Sequence, residues 1–237
     1  MDRARELALA PSADLPAVIV ADRQSKGRGQ RGARWWQAAG SLAMSLVVDA
    51  DRFGGSKRPL PTWSLACGVA LAEAIQTCEP GLRLQVRWPN DVEVDGRKLA
   101  GILVESAGAG RVVFGVGVNT TGMAVEAPAS VRHRVGTLPD LTGRPLGRQQ
   151  LLGGFLPALF DLLADIGRDP SRLLDRYRPL CSLAGQEVCV HTAGGRQQGR
   201  CLGIAADGRL LLETEAGTMA IVSGSLTDPA DVWHGDG

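Results

Sequence analysis

The chain has 237 residues, of which 44% are hydrophobic, and its 26 lysines and arginines nearly balance 25 aspartates and glutamates, for a net charge of +1. That apolar fraction fills a sizeable core, and the length allows one large domain with a small companion. The near-neutral charge removes bulk attraction to nucleic acid or an anionic membrane, no apolar run approaches a membrane span, and the N-terminus lacks a signal-peptide pattern.

In chain order, Arg3 to Ala10 reads as a short helix closed by Pro11. Ala17–Ala21 and Ser41–Val48 read as strands flanking a Gly/Arg-rich loop. Trp63 to Cys78 has Leu65, Val69, Ala72 and Ile75 at helical spacing, a core-facing stripe. Leu84–Trp88, Val92–Val94, Lys98–Glu105 and Val112–Val118 continue a sheet, while Thr120 to Gly147, rich in Gly, Pro and Arg, reads as a long loop. Helices are expected at Gln149–Asp165 and Ser171–Arg178. After Cys181 the texture changes: Glu187–His191, Gly199–Ala205, Leu210–Thr214 and Thr218–Val222 are short strands between Gly-bearing turns, which suggests a small β-barrel. No internal repeat is present.

Cys67, Cys78, Cys181, Cys189 and Cys201 are odd in number and lack C-x-x-C spacing, so they read as buried or idle thiols in a reducing cytosol. His133, His191 and His234 are scattered, which argues against a protein-ligated transition metal.

Two segments carry chemistry. Arg87-Trp88-Pro89-Asn90-Asp91 precedes Arg97-Lys98-Leu99-Ala100-Gly101, and Asp95-Gly96 between them is a strong hairpin signal. Folding there returns Lys98 towards Asp91, either as a surface ion pair or as a site for phosphate and its metal. The second segment, Gly27-Arg28-Gly29-Gln30-Arg31-Gly32-Ala33-Arg34-Trp35-Trp36, offers backbone N–H groups and guanidinium forks to an anion and flat faces to a purine; the plainer reading is a solvated basic loop. Gly27, Gly29 and Gly32 match a dinucleotide fingerprint by accident, because no crossover helix fits between them and the next strand. No P-loop pattern occurs at these glycines.

Gln24-Ser25-Lys26-Gly27-Arg28-Gly29-Gln30-Arg31-Gly32-Ala33-Arg34-Trp35 resembles the GRGRxGRxW loop of biotin–protein ligases. Trp88-Pro89-Asn90-Asp91 with Lys98-Leu99-Ala100-Gly101-Ile102-Leu103-Val104-Glu105 resembles that family's KWPND…K-x-x-GILxE segment, and Gly115-Val116-Gly117-Val118-Asn119 its G-x-G-x-N strand end. The three occur in the family's order and at similar spacing.

The resemblance implies an α+β fold. A catalytic domain like that of class II aminoacyl-tRNA synthetases, a mixed sheet with helices, would occupy residues 1–180, and an SH3-like barrel residues 181–237. It further implies activation of biotin by ATP to biotinyl-5′-AMP and transfer to a lysine of a biotin carboxyl carrier protein in the cytoplasm. Lys98, Arg28 and Asp91 are then the catalytic candidates. Gln24, Gly27, Arg28, Lys98, Gly101, Leu103, Gly115 and Gly117 would contact biotin; Arg31, Trp35, Asn90 and Asn119 would contact the nucleotide. Asp91 is also the candidate for Mg²⁺ and for the proton of the incoming lysine. The plainer readings are an Asx turn for Asn90 and Asp91, β-bulges for the glycines, and a sheet role for Glu105.

Three departures carry expectations. The family's Ser-Thr-Asn ahead of the first helix has no counterpart before Asp2, so either the start is displaced or biotin binding is weakened. Gln30 and Ala33 replace loop arginines, which predicts slow turnover. There is no room for an N-terminal helix-turn-helix, so neither repressor activity nor DNA binding is expected. The Gly/Arg loop is expected to order on binding adenylate. Homodimerisation through a sheet edge is common in the family. The rival readings are a lipoate–protein ligase, which shares the fold and the adenylation chemistry, and a catalytically weak paralogue that binds biotin or the acceptor.

Overall fold

The computed structural model describes residues 1–24, 27–32, 34–54 and 61–226. Ser25, Lys26, Ala33 and His234 lie outside the described residues, as does the side chain of Arg31.

Helix α1 (Asp2–Leu9) leads into strand β1 (Ala17–Ala21), and β2 follows at Leu42–Asp49. After helix α2 (Pro61–Cys78) come β3 (Gln85–Arg87), β4 (Asp91–Val94), β5 (Arg97–Gly108) and β6 (Arg111–Val118). These strands form a six-stranded sheet ordered β1-β2-β6-β5-β4-β3. Its ladders run antiparallel; parallel pairings enter as isolated bridges, Val86 to Cys181 and Lys98 to Val135, so the sheet is mixed at its margin.

The strand period of two separates the faces. Leu42, Met44, Leu46 and Val48 of β2 and Val112, Phe114, Val116 and Val118 of β6 point to one side, where α2 and α5 (Arg148–Arg168) cover them. Helix α2 is buried nearly all round because it lies between this sheet and the outer helices α5 and α6 (Arg172–Tyr177). On the other face Val47 and Val113 pack under Ala4 and Ala8 of α1. Arg5 of α1 pairs with Glu105 of β5 at 2.7 Å, which gives Glu105 the sheet role expected of it.

The stretch from Thr120 to Gly147 is not the structureless loop its composition suggests. It contains a 3-10 turn at Ala124–Glu126 and helices α3 (Ala129–Arg132) and α4 (Leu138–Thr142), the last capped by the Thr137 hydroxyl, which accepts from the Asp140 N–H at 3.2 Å. Helix α5 has 21 residues and is long and apolar enough to cross a membrane by length and composition alone. Leu151, Phe155, Leu159, Leu162, Leu163 and Ile166 nonetheless bury one face in the core, and Asp161 is exposed on the other, as in an ordinary core helix.

Strands β7 (Glu187–Thr192), β8 (Gly195–Ile204), β9 (Leu210–Thr214), β10 (Gly217–Ile221) and β11 (Ser225–Leu226) form an antiparallel sheet ordered β10-β9-β8-β7-β11. Among the described residues its ladder is open between β10 and β11, and the antiparallel five-stranded arrangement fits the expected SH3-like unit. It docks on the larger unit through the Asp207-Gly208 turn. The Gly208 carbonyl accepts from the buried Trp88 indole N–H at 3.1 Å, and a Cβ at Gly208 would lie 2.6 Å from the Thr62 nitrogen.

All five cysteines are free thiols. Cys181 is not idle, however: at the joint between the two sheets the Cys201 thiol donates to it, and backbone N–H groups of Leu183 and Ala184 assist, holding Cys181 at about 6 against an ordinary 9.0. Cys201 is correspondingly pushed up.

Candidate active site

The site begins as a surface almost without side chains. The register places Ala21 opposite Ala43, Ala43 opposite Gly117, Gly117 opposite Gly101 and Gly101 opposite Asp91, one continuous row across five strands. A second row runs Ile19, Ser45, Gly115 and Leu103. Residues along a row share a face, so a bound molecule can lie directly on the backbone of β5 and β6. The register is unbroken at Gly101, Gly115 and Gly117, which removes the β-bulge reading of these glycines. Over this floor opens a cavity of about 520 Å³.

Lys98 reaches the floor through a local irregularity. Asp95 and Gly96 both have positive φ, 49° and 72°, the signature of a type I′ hairpin turn. Lys98 and Gly101 are three residues apart, which on a regular strand would place them on opposite faces. The register shift between Val92 and Glu93 leaves Leu99 as the extra residue on β5 and turns Lys98 to the same side as Gly101. Its ammonium lies 2.7 Å from Asp91 Oδ1 and 5.3 Å from the centroid of the Trp35 ring. The Lys98 backbone is clamped as well, donating to the Arg134 carbonyl at 2.7 Å and accepting from the Gly136 N–H at 2.9 Å.

Asn90 is held by β5 rather than by an Asx turn: its Nδ2 donates to the Ile102 carbonyl at 2.6 Å, and its own carbonyl accepts from the Ile102 N–H at 2.9 Å. The Asn90 N–H donates to the Arg87 carbonyl at 3.1 Å. Both ends of the Trp88–Asp91 segment are therefore anchored, one on β5 and the other on Gly208.

The Gly/Arg loop closes on itself. Trp35 donates its N–H to the Gly27 carbonyl at 3.0 Å, and Arg28 and Arg34 pair as an antiparallel bridge. Gly27 is required sterically, since a Cβ there would stand 2.7 Å from the Trp35 carbonyl oxygen. Arg28 Nη2 lies 2.5 Å from Asp2 Oδ1, at the start of α1. Trp35 lies on the glycine floor: a Cβ at Gly117 would meet its Nε1 at 2.5 Å, and one at Gly101 its Cζ3 at 3.1 Å. That Nε1 is buried and has no hydrogen-bond partner. Beside it, the Met1 sulfur stands over Gly115.

Gln24, Arg28, Trp35, Asn90, Lys98, Gly101, Leu103, Gly115 and Gly117 all line the cavity. Asp91 adjoins it through Lys98, and Gly27 lines a neighbouring hollow with Gln24 and Trp35. Asn119 is set apart: it is buried, its Nδ2 donates to the Gly136 carbonyl at 3.0 Å, and it ties the end of β6 to the excursion after it. The sequence reading missed Asp2, Arg3 and Arg23, which also line the cavity. Nothing in a short charged helix or in one arginine beside Gln24 marks them out locally.

Among the described residues the cationic side chains of Arg3, Arg23, Arg28, Arg34 and Lys98 face one space, with the Asp2 carboxylate among them. Such a cavity suits an anionic ligand with an apolar body. Among the described residues no group of three or more His, Cys, Asp or Glu side chains forms a metal cage.

A glycine-floored cavity crossed by a basic loop and backed by one lysine suits an anionic ligand, and the comparisons give the class of protein. A model of the biotin/lipoate A/B protein ligase family matches residues 5–120, and a model of the biotin protein ligase C-terminal domain matches residues 184–225. Over 231 residues the chain is 32% identical to a biotin–[acetyl-CoA-carboxylase] ligase of Paracoccus denitrificans, covering 92% of each chain. It is 31% identical over 231 residues to the enzyme of that name from Mycobacterium tuberculosis, covering 92% of this chain and 81% of the other. The solved biotin protein ligase from Aquifex aeolicus, in complex with biotin and ATP, superposes with a TM-score of 0.81 at 26% identity, covering 94% of this chain and 92% of that one. The chain belongs to the biotin–protein ligase family.

Proposed function

We propose that this protein is an ATP-dependent biotin–protein ligase whose acceptor is the biotin carboxyl carrier domain of a carboxylase, acting in the cytoplasm. A carboxylate does not acylate an amine at neutral pH without a good leaving group. Attack of the biotin carboxylate on the α-phosphate of ATP forms biotinyl-5′-AMP and releases pyrophosphate. The acceptor lysine's amine then attacks the acyl carbon and AMP departs. Five free thiols suit a reducing compartment.

The observation that carries this reading is Lys98, held by Asp91 on the glycine floor of a cavity it shares with Gln24 and Arg28. The enzyme's task is to bring two anions together and to neutralise charge growing at the α-phosphate. Lys98 and Arg28 take that role, with Arg31 the next candidate by resemblance; Lys98 serves both the carboxylate and the phosphate. Gln24 binds the biotin head. Gly27, Gly101, Leu103, Gly115 and Gly117 give its body room against the backbone. Trp35 and Asn90 face the adenylate, and Asn119 shapes the adenine end from behind by fixing Gly136. Asp91 orients Lys98 and takes the proton of the incoming amine. With Asp91 as the carboxylate beside Lys98, the donor set suits Mg²⁺ carried mainly by ATP phosphates and water. We assign residues 1–180 to the catalytic unit and 181–237 to its companion, whose described part docks through Gly208.

The test is mass spectrometry of a purified biotin carboxyl carrier domain incubated with the protein, biotin and Mg·ATP, beside Lys98→Ala. A biotin-sized mass gain is expected, slowed in the variant by roughly 10²–10³-fold, as for loss of one preorganised transition-state donor. No gain with biotin but a gain with lipoate would overturn the assignment.

A further inference from the structure

Two thiols that the ligase reading leaves unused meet where the small sheet joins the larger unit. Cys181 bridges Val86 of β3, and the next N–H, that of Ser182, donates to the Val86 carbonyl at 3.3 Å. Cys201 lies on β8, and its backbone is stitched to the turn that follows Cys181: its carbonyl accepts from the Gly185 N–H at 2.8 Å, and its N–H donates to the Gln186 carbonyl at 2.8 Å. The turn thus runs from one cysteine to the other and brings the Cys201 thiol into hydrogen-bonding contact with Cys181.

The two sulfurs differ in surroundings. Cys201 is 1% exposed and packs in the main core, where its sulfur also accepts from the Gly203 N–H at 3.4 Å. Cys181 is half-buried, and residues 184–187 just beyond it are exposed, so the open side of the pair is Cys181. The N–H groups of Leu183 and Ala184 turn towards its sulfur and favour the thiolate, the form that attacks an electrophile. A nucleophilic thiolate with a second thiol already in contact has the arrangement of a reversible dithiol–disulfide couple.

We propose that Cys181 and Cys201 form a redox modification site, in which a peroxide oxidises Cys181 and Cys201 then closes a disulfide at the joint. The Cys181 thiolate attacks one oxygen of hydrogen peroxide: an S–O bond forms, the O–O bond breaks, and the departing hydroxide takes up a proton as water. The Cys201 sulfur attacks the resulting sulfenic sulfur. An S–S bond forms, the S–O bond breaks, and the Cys201 proton leaves with that oxygen as a second water. The sulfurs together give up the electron pair that the peroxide accepts. The adjacent thiol intercepts the sulfenic acid before more peroxide carries it to the irreversible sulfinic acid, and a reducing dithiol restores both thiols by exchange. The disulfide would fasten the turn after Cys181, and with it the contact to Val86, onto β8.

The experiment treats the full chain, reduced and then freed of reductant, with hydrogen peroxide at pH 7, once folded and once in denaturant. After alkylation it is cut with a protease that cleaves after Glu187, which separates Cys181 from Cys189, and mapped by mass spectrometry. The folded protein is expected to yield a Cys181 peptide cross-linked to a Cys201 peptide, a link that dithiothreitol removes; the denatured chain should give mixed pairs. Cys201→Ser should stop at the sulfenic acid, trapped on Cys181 by dimedone. Cys181→Ser should slow peroxide consumption roughly fivefold, the larger thiolate fraction at pH 7 being partly offset by the lower nucleophilicity of an acidic thiol. The wild type alone reports the link, so the result does not depend on either variant folding. Cys181 carried to sulfinic acid without the link, paired with another cysteine, or left as a free thiol in the folded protein would overturn the proposal. The same mixture of pairs in folded and denatured chains would overturn it as well. Biotin-dependent exchange plays no part in this readout, so the ligase reading stands or falls separately.

Discussion

Gly117 carries the sharpest single-residue expectation. It is the centre of the row from Ala21 to Asp91, and a Cβ there would meet the Trp35 indole nitrogen at 2.5 Å. Gly117→Ala and Gly117→Val should keep the circular dichroism spectrum but weaken biotin binding in calorimetry, valine more than alanine. Overpacking of roughly 1–3 kcal/mol corresponds to about one to two powers of ten in Kd. Biotin affinity equal to wild type in Gly117→Val would mean that the ligand does not lie on this floor. Lys98 and Asp91 were legible in the sequence because the Asp95-Gly96 turn and the alternation around it leave little choice of partner. Asn119 was not, because a polar residue at a strand end looks the same whether it meets a ligand or the Gly136 carbonyl.

At the scale of elements, burial separates substitutions that look alike in the sequence. Leu162 of α5 is wholly buried in the main core, whereas Leu202 of β8 is exposed. Leu162→Ala should lower stability by about 2–5 kcal/mol, and Leu202→Ala by no more than about 0.5 kcal/mol, measured by chemical denaturation. A Leu202→Ala loss as large as that of Leu162→Ala would contradict the packing described. The long helices were legible from their apolar stripes. The two short helices after Thr120 were not, since four or five residues are too few to show a helical period. The extra residue at Leu99 escaped as well: a bulge depends on the partner strand's register, and a hydrophobic pattern read along one strand does not contain it.

For the whole molecule, the thiols near the joint and in the core set a pH dependence. Cys181 titrates at about 6 when folded and near 9.0 when unfolded. Between those values the folded chain carries a thiolate and the unfolded chain a thiol, so stability rises with pH across this window and is lost as pH falls through 6. Burial pushes Cys67 the other way, and the hydrogen bond to Cys181 does the same for Cys201, so above 9.0 the unfolded state alone releases protons and stability falls. Thermal unfolding followed by calorimetry should show Tm climbing from pH 6 towards 9; Cys181→Ala should abolish the climb and keep the fall. A wild-type Tm that is flat over that range would refute the hydrogen-bonded thiolate. The two-unit division was visible in the change of texture after Cys181, but the contact between the units was not, because one carbonyl at Gly208 leaves no compositional trace.

That contact also bears on the order of events during synthesis. The ribosome makes Trp88 long before Gly208, yet the indole N–H of the first finds its acceptor on the second. Until the last quarter of the chain has emerged, the segment carrying Asn90 and Asp91 is tethered at one end only. A nascent chain thus carries Trp88 before the acceptor that ties it down exists, and the small sheet supplies that last fastening.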